Sequence, residues 1–130
     1  MHMTEQEVNN FEKTQAQLSS LHEELNALAK KSPADSLNKF KLKFVNKAIQ
    51  EANQLLGAKY KPFGDFDQFD DTELPSNSDV TLILGQYLNC LEKLRSDNIE
   101  QEMAGRWYWF LDNKKKSGIR TSPPQKLHPK

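Results

Sequence analysis

The sequence has few of the residues that build catalytic centres, metal sites and disulfide frameworks. It contains one cysteine, three histidines and five widely scattered glycines in 130 residues. One cysteine excludes an intrachain disulfide and is typical of a reducing compartment, so we expect a cytoplasmic protein. The glycines are too far apart for a phosphate-binding or dinucleotide-binding turn, and no His or Cys spacing fits a zinc site. We therefore expect no metal or other cofactor.

Long apolar runs are also missing. No run approaches the roughly 18 residues that a membrane span needs, and the first residues lack the apolar core of a signal peptide. The mean hydropathy of -0.81 is low, yet leucine, phenylalanine, isoleucine and valine are frequent enough for a modest core. We expect a single soluble domain over residues 1–121, a flexible polar tail over residues 122–130, and no membrane partner.

Amphipathic helices account for most of the apolar residues. The spacing predicts three of them, over residues 4–31, 32–57 and about 78–95. Thr4 and Glu7 form a capping-box pattern at the start of the first helix. Ser32 is the predicted N-cap of the second helix, and Gly57 is its predicted end. The first two helices would form a long αα-hairpin with a very short turn.

The second helix is predicted to separate apolar from basic residues. Its apolar positions recur at intervals of three and four and predict one buried face, made of Leu37, Phe40, Phe44, Val45, Ala48, Ile49, Ala52, Leu55 and Leu56. Lys39, Lys43 and Lys47 recur every four residues and are predicted to line the opposite face. Both phenylalanines of this helix are thus expected in the core.

The first helix carries a seam of apolar residues with partly seven-residue spacing. Its main members are Phe11, Leu18, Leu21, Leu25 and Leu28. The seam covers under three heptads, which is short of a coiled coil. Two arrangements stay open, since the seam could pack within the protomer or pair two protomers in a homodimer.

Residues 58–78 lack helical periodicity and mix aromatic with acidic residues. Phe63, Phe66 and Phe69 recur every third residue, and we expect them to anchor this connection onto the helices. The acidic positions are Asp65, Asp67, Asp70, Asp71 and Glu73. They lack the glycine and the glutamate that a calcium loop needs at its sixth and twelfth positions, so we expect a solvated acidic loop. A patch that docks a basic partner is the alternative.

The C-terminal region changes from helical to strand-like character. Five consecutive bulky apolar residues follow Arg106 and predict a strand, in which Trp107 and Trp109 share one face. Residues 119–121 would return as the second strand of a hairpin. Together with Lys114, Lys115, Lys116 and Arg120, the tryptophans could stack on bases beside phosphate-binding cations, or form a protein-binding hot spot. Two tryptophans in so small a domain are, however, more typical of its core.

Charge is segmented along the chain although it sums to zero, with 18 basic and 18 acidic residues. The net charges are −4, +6, −8 and +6 over residues 1–29, 30–61, 62–103 and 104–130. The screening length at physiological salt is about 8 Å, so a partner would sense separate patches separately. The zero net charge excludes a strongly basic nucleic-acid binder. It does not exclude that the separate charged patches steer a charged partner toward this protein.

No pattern of nucleophile, base and orienting group points to an enzyme. His22 and Cys90 are each typical of packing positions. The sequence favours a mainly α fold with minor β content: a long αα-hairpin, a third helix and a C-terminal β-hairpin or extended aromatic segment. It favours a non-catalytic protein-interaction module, such as an adaptor, an inhibitor or an accessory subunit of the kind that phages and mobile elements encode.

Two sets of residues are candidates for that function. Those predicted to bind a protein partner are Asp65, Asp67, Asp70, Asp71, Glu73, Arg106, Trp107, Trp109, Lys114, Lys115, Lys116 and Arg120. The alternative is a small nucleic-acid-binding protein. It would use Lys39, Lys43, Lys47, Arg106, Lys114, Lys115, Lys116 and Arg120.

Overall fold

Three helices precede a small sheet in the computed structural model of the chain, which describes residues 3–111 and 116–125. The elements are α1 (Glu5–Lys31), α2 (Lys39–Tyr60), α3 (Asn77–Asp97), β1 (Ile99–Gln101), β2 (Trp107–Phe110) and β3 (Lys116–Thr121). The strands form an antiparallel sheet in the order β1-β2-β3. The predicted mainly α fold with a C-terminal β-hairpin is confirmed, and β1 adds a third strand. None of the helices described is long and apolar enough to cross a membrane.

Helix α1 begins with the predicted capping box. The Thr4 hydroxyl accepts the Glu7 N–H at 3.1 Å, and the Glu7 carboxylate accepts the Thr4 N–H at 3.0 Å. These two bonds satisfy donors that the first turn of a helix otherwise leaves without partners. The start of α1 is therefore determined by local sequence.

The seam of α1 packs within the protomer. Phe11, Leu18 and Leu25 are fully buried in the core, and Leu21 and Leu28 are half-buried against it. Pairing two copies through this seam would require opening the core. The first of the two predicted arrangements is the one that the structure shows.

Helix α2 starts later than the sequence predicts. Asn38 is the N-cap, and its side-chain oxygen accepts a backbone N–H of the first turn at 2.8 Å. Ser32, the predicted N-cap, instead ends α1, where its N–H donates to the Leu28 carbonyl at 2.8 Å. The prediction was wrong because a serine followed by a proline fits a turn as well as a helix start.

The connection between α1 and α2 pairs with the segment that leads into α3. Leu37 N–H donates to the Pro75 carbonyl at 2.8 Å, and Asn77 N–H donates to the Asp35 carbonyl at 2.8 Å. The Asn77 side chain adds a bond to the Ser32 carbonyl at 3.0 Å. This extended pairing replaces the helical bonds that residues 33–37 would otherwise make, and it places the starts of α2 and α3 side by side.

The far ends of α2 and α3 are also joined. Gly57, the predicted end of α2, has a left-handed φ of 60° that kinks the helix, which then continues to Tyr60. The Tyr60 hydroxyl donates to the Asp97 carboxylate at 2.6 Å, close to the end of α3. This bond and partial burial raise the pKa of Tyr60 to about 12. The same bond, helped by Lys93, lowers the pKa of Asp97.

The sheet closes one side of the helical core. Trp109 on β2 is fully buried, and its ring meets Phe11 of α1 edge-on, with centroids 5.1 Å apart. The register between β2 and β3 shifts between Tyr108 and Phe110, and Gly118 on β3 has a φ of 75°. Such irregularities increase the local twist of a strand pair and allow a short sheet to curve over helices.

A buried ion pair on α3 holds the chain that follows β3. Arg95 donates to both carboxylate oxygens of Glu92, at 2.9 Å and 2.8 Å. Its other donors reach three acceptors at and just after the end of β3, which are Thr121 Oγ1, Ser122 O and Pro123 O. Glu92 in turn accepts the Gln125 N–H at 2.8 Å. The part of the expected tail that the structure describes, residues 122–125, is thus held against α3.

Candidate functional site

The phenylalanines of the first turns of α2 lie on the outside of the molecule. Phe40 is 71% exposed and Phe44 is 45% exposed, so their predicted burial is wrong. At 100° per residue, the nine positions between Phe40 and Ile49 place these residues about 180° apart on the helix. Because Ile49 lies in the core, Phe40 faces solvent. Four residues make slightly more than one helical turn. Residues spaced by four therefore move steadily around the helix, and Phe40 leaves the buried face although its spacing is that of an amphipathic stripe.

The two exposed rings touch each other. Their centroids lie 5.0 Å apart at an interplanar angle of 77°, which is the edge-to-face geometry that aromatic pairs prefer. The contact spans one helical turn, so the pair forms a single apolar ridge. A pair of this kind presents a large apolar surface at small entropic cost, because each ring restricts its neighbour.

Lysines surround the ridge. Lys39, Lys43 and Lys47 are exposed, as predicted, and none forms an ion pair with another residue in the described part of the chain. We call these three lysines with Phe40 and Phe44 the lysine–phenylalanine face of α2. It combines large exposed rings with cations that lack a partner of opposite charge within the described residues.

Grooves flank the face on both sides. One, of about 780 Å³, lies between α2 and the acidic loop. Gln50 of α2 and Asp71 of the loop line it. The other, of about 590 Å³, lies between α1 and α2. Phe44 and Lys47 line both grooves, and the ridge therefore separates two adjoining depressions.

The acidic loop is anchored on α2, as predicted from its phenylalanines. Phe66 and Phe69 pack against the core, whereas Phe63 contacts the Phe66 ring, with centroids 6.4 Å apart. The Asn46 side chain donates to the Phe69 carbonyl at 3.0 Å and accepts the Phe69 N–H at 2.9 Å. Asn53 donates to the Asp67 carbonyl at 3.0 Å and accepts the Tyr87 hydroxyl at 2.7 Å. The loop therefore forms a fixed wall of the first groove.

The carboxylates of this loop are all exposed, and several have local partners. The group comprises Asp65, Asp67, Asp70, Asp71 and Glu73. Asp67 forms an ion pair with Lys61. The Thr72 hydroxyl and N–H donate to Asp70 and lower the pKa of its carboxyl group. Asp71 lines the groove beside the lysine–phenylalanine face, so it is the loop carboxylate placed next to that surface.

The C-terminal candidate residues are not assembled into a stacking surface. Trp109 is fully buried, so its predicted role in binding is wrong, and Trp107 is half-buried against the core. Successive side chains of a strand point to opposite faces, so Trp107 and Trp109 share one face of β2, and this face is turned toward the core. Arg106 and Arg120 are exposed. Lys114 and Lys115 lie outside the described residues, and Lys116 begins β3 opposite Phe110.

Other titratable groups have structural surroundings. Burial raises the pKa of Tyr87 to about 12, and this hydroxyl is the one that donates to Asn53. His22 lies over Gly85 of α3, with its Nε2 atom 3.5 Å from where a Cβ would stand. Cys90 is half-buried against the core. Among residues 3–111 and 116–125, no group of three or more His, Cys, Asp or Glu residues could hold a metal ion.

Comparisons of this chain with protein-family models, with curated proteins and with solved structures found no match. Among the surfaces of the described residues, the lysine–phenylalanine face combines exposed aromatic rings with surrounding positive charges. Exposed aromatic side chains dominate the energetics of protein interfaces, and surrounding charges select and steer the partner.

Proposed function

We propose that this chain is a non-catalytic protein-interaction module that binds its partner through the lysine–phenylalanine face of α2. One observation carries the proposal, namely the exposure of Phe40 (71%) and Phe44 (45%) as a contiguous pair ringed by lysines. Exposed apolar patches with a polar rim often mark protein-binding sites. An adaptor, an inhibitor or an accessory subunit would act through such a surface.

The rings would supply most of the binding energy. Complete burial of a phenylalanine side chain is worth about 1.5–3 kcal/mol relative to leaving it exposed. An exposed lysine–carboxylate pair is worth at most about 1 kcal/mol. Lysines 39, 43 and 47 would therefore act mainly on the rate of encounter and on partner choice.

The face is presented by a rigid helix. On the opposite side of α2, Val45, Ile49 and Ala52 are completely buried. Ordering a flexible binding segment weakens association, and a helix that is already packed avoids that loss. The bonds between Asn46 and Phe69 likewise fix the acidic loop beside the face, which supports a role for Asp71 in orienting the partner.

Affinity capture with a surface variant tests the proposal. The tagged double variant Phe40→Ser/Phe44→Ser is compared with wild type in quantitative capture from a lysate of the source cells. The control is Leu82→Ser, which removes another exposed apolar side chain, 55% exposed, from α3. We expect the partner to be retained by wild type and the control and reduced at least tenfold with the double variant. Equal capture by all three proteins, with unchanged circular dichroism, would contradict the proposal.

Nucleic acid is the second candidate, because three lysines beside exposed rings are also typical of single-strand binding. The rings would have to be Phe40 and Phe44, since Trp109 is buried. Three phosphate contacts predict a salt slope of about −2 for a single strand. Anisotropy titrations with labelled oligonucleotides at low and physiological salt test this candidate. Saturable binding with that slope, lost in Phe40→Ser/Phe44→Ser, would favour nucleic acid over a protein partner.

A further inference from the structure

We infer that the partner presents a short acidic stretch to the groove between α2 and the acidic loop, with its carboxylates over Lys39, Lys43 and Lys47. This inference rests on the proposed function and names the chemistry of the partner segment at that face. It is carried by three features of the groove: the sign of the charges that line it, the lack of ion pairs at its lysines, and the carboxylates that limit the length of the lysine row.

The charges that line this groove are mostly positive. Among the described residues, three lysines line it and Asp71 supplies the one carboxylate. The groove between α1 and α2 is different, because Lys13 and Lys47 line it together with Glu51, and its continuation adds Glu7. Positive and negative charges balance there. An anionic group is therefore favoured between α2 and the acidic loop, and not between α1 and α2.

The charges of the three lysines are not neutralised within the protomer. None of these lysines forms an ion pair with another residue in the ranges 3–111 and 116–125. Other lysines nearby show the contrast, since Lys41 of the same helix pairs with Glu24 at 3.2 Å and Lys61 pairs with Asp67. Like charges four residues apart on a helix repel one another. Carboxylates placed among the three lysines would remove that repulsion.

The lysine row is short. Its members recur every four residues from Lys39 to Lys47, so the row extends over about 12 Å of helix. The next position in the series is Glu51, where the sign of the charge reverses. Carboxylates on one side of an extended chain repeat about every 6.6 Å, close to the roughly 6 Å between successive lysines. Two or three acidic residues within about five positions therefore cover the whole row.

The same limits disfavour anions that are long or wide. A nucleic-acid strand that continued past the lysine row would meet Glu51 on α2 and Asp71 on the loop. A membrane surface with anionic lipids would meet the whole acidic loop, whose carboxylates are exposed beside the face. A short acidic stretch avoids both repulsions, because its negative charge ends where the lysines end.

The exposed rings add an apolar requirement. Phe40 and Phe44 line the groove together with the lysines. An apolar side chain next to the acidic stretch would cover these rings and exclude water from the neighbouring ion pairs, which strengthens them. We therefore expect a partner sequence in which two or three acidic residues stand beside at least one apolar residue.

Peptide selection tests the chemistry of the occupant. A phage-displayed library of random 12-residue peptides is selected on wild type and, in parallel, on the triple variant Lys39→Gln/Lys43→Gln/Lys47→Gln, which we call the groove variant. Glutamine has nearly the helix propensity of lysine, and the three positions are exposed, so the groove variant should keep the fold.

A second triple variant controls for net charge. Lys13→Gln/Lys30→Gln/Lys31→Gln removes the same number of charges from exposed positions of α1. None of these three lysines lines the groove between α2 and the acidic loop. A difference between the two triple variants therefore reports the local lysines and not the charge of the whole protein.

The expected result is enrichment, on wild type, of peptides with clustered acidic residues beside an apolar residue. A synthetic peptide of that sequence should bind the groove variant about tenfold more weakly than wild type, because three ion pairs are lost. It should bind the control variant within about twofold of wild type. Asp71→Asn should tighten binding by about twofold, whereas Asp65→Asn, on the same loop but outside the groove lining, should leave it unchanged.

Several results would overturn an acidic occupant of this groove. They are enrichment of basic or uncharged peptides, failure to enrich any sequence on wild type, and equal binding of the selected peptide to the two triple variants. Tighter binding of a single-stranded oligonucleotide, or of vesicles that contain phosphatidylserine, would instead assign the groove to an extended anion.

Capture of the cellular partner separates the occupant from the proposed function. Loss of the partner with Phe40→Ser/Phe44→Ser and with the groove variant, but not with the control, supports both. If the partner is lost with Phe40→Ser/Phe44→Ser but fully retained by the groove variant, the face binds a partner that is not acidic. Retention of the partner by every variant refutes the proposed function as well.

Discussion

Replacing Arg95 with methionine should destabilise the fold and release the end of the chain. Arg95 is 3% exposed, and it uses all five of its N–H donors in the contacts described above. Methionine has a similar length and no donor. In the variant, Glu92 would remain buried with the Gln125 N–H as its remaining donor among the contacts described.

The magnitude follows from the asymmetry of buried ion pairs. Removing one partner leaves an uncompensated charge and destabilises a protein by about 3–5 kcal/mol. The acceptors at Thr121–Pro123 are half-buried or exposed and regain water, so they add little to this loss. We expect about 3–4 kcal/mol, a large share of the roughly 5–15 kcal/mol that stabilises a domain. The double variant Arg95→Met/Glu92→Met should recover most of that loss, because apolar replacement of both partners is often neutral.

Urea unfolding followed by circular dichroism measures these free energies, with similar slopes for all variants as the check on two-state behaviour. Hydrogen exchange of the Gln125 amide reports the release of the chain end directly, since its N–H donates to Glu92 at 2.8 Å. The reasoning is refuted if Arg95→Met loses less than about 1 kcal/mol, or if the double variant is no more stable than the single one.

Four further predictions concern other positions. Asp97→Asn should lower the pKa of Tyr60 from about 12 toward 10, measured by NMR of its ring; in wild type this contact stabilises the fold fully below pH 10 and is lost as pH rises toward 12. Gly85→Ala should stabilise the protein by about 0.5–1 kcal/mol in urea unfolding, because the new Cβ makes ordinary contacts. Gly57→Ala should destabilise the protein by about 1 kcal/mol, because an alanine there must adopt a positive φ. If the two glycine variants changed the free energy of unfolding by the same amount, both glycine predictions would be contradicted. Leu18→Glu should abolish the circular dichroism signal of the fold rather than halve the mass in light scattering.

Local sequence predicted the elements whose signals lie within a few residues. The capping box of Thr4 and Glu7 and the strand after Arg106 are confirmed. The anchoring of the loop by its phenylalanines is confirmed for Phe66 and Phe69. In each case the neighbouring residues satisfy the backbone or bury the rings. The start of α2 was missed because pairing with residues 75–78, which are distant in sequence, decides it.

The candidate surface was only half predictable. Lys43 and its row were correctly placed outside, but Phe40 was assigned to the core by spacing alone. Arg95 and Glu92, three residues apart on a helix, are typical of an exposed pair, and their burial depends on the returning C-terminal chain. Burial by a distant segment leaves no periodic signal in the sequence.

The bonds between Asn46 and Phe69 also bear on how the acidic loop moves. We expect the loop to open locally, with the helices still packed, at a free energy below that of global unfolding, and this opening must break both of these bonds. Opening would carry Asp71 away from the groove that it lines. A ligand that grips Asp71 must therefore slow the exchange of the Phe69 amide, and that amide reports occupancy of a surface that it does not touch.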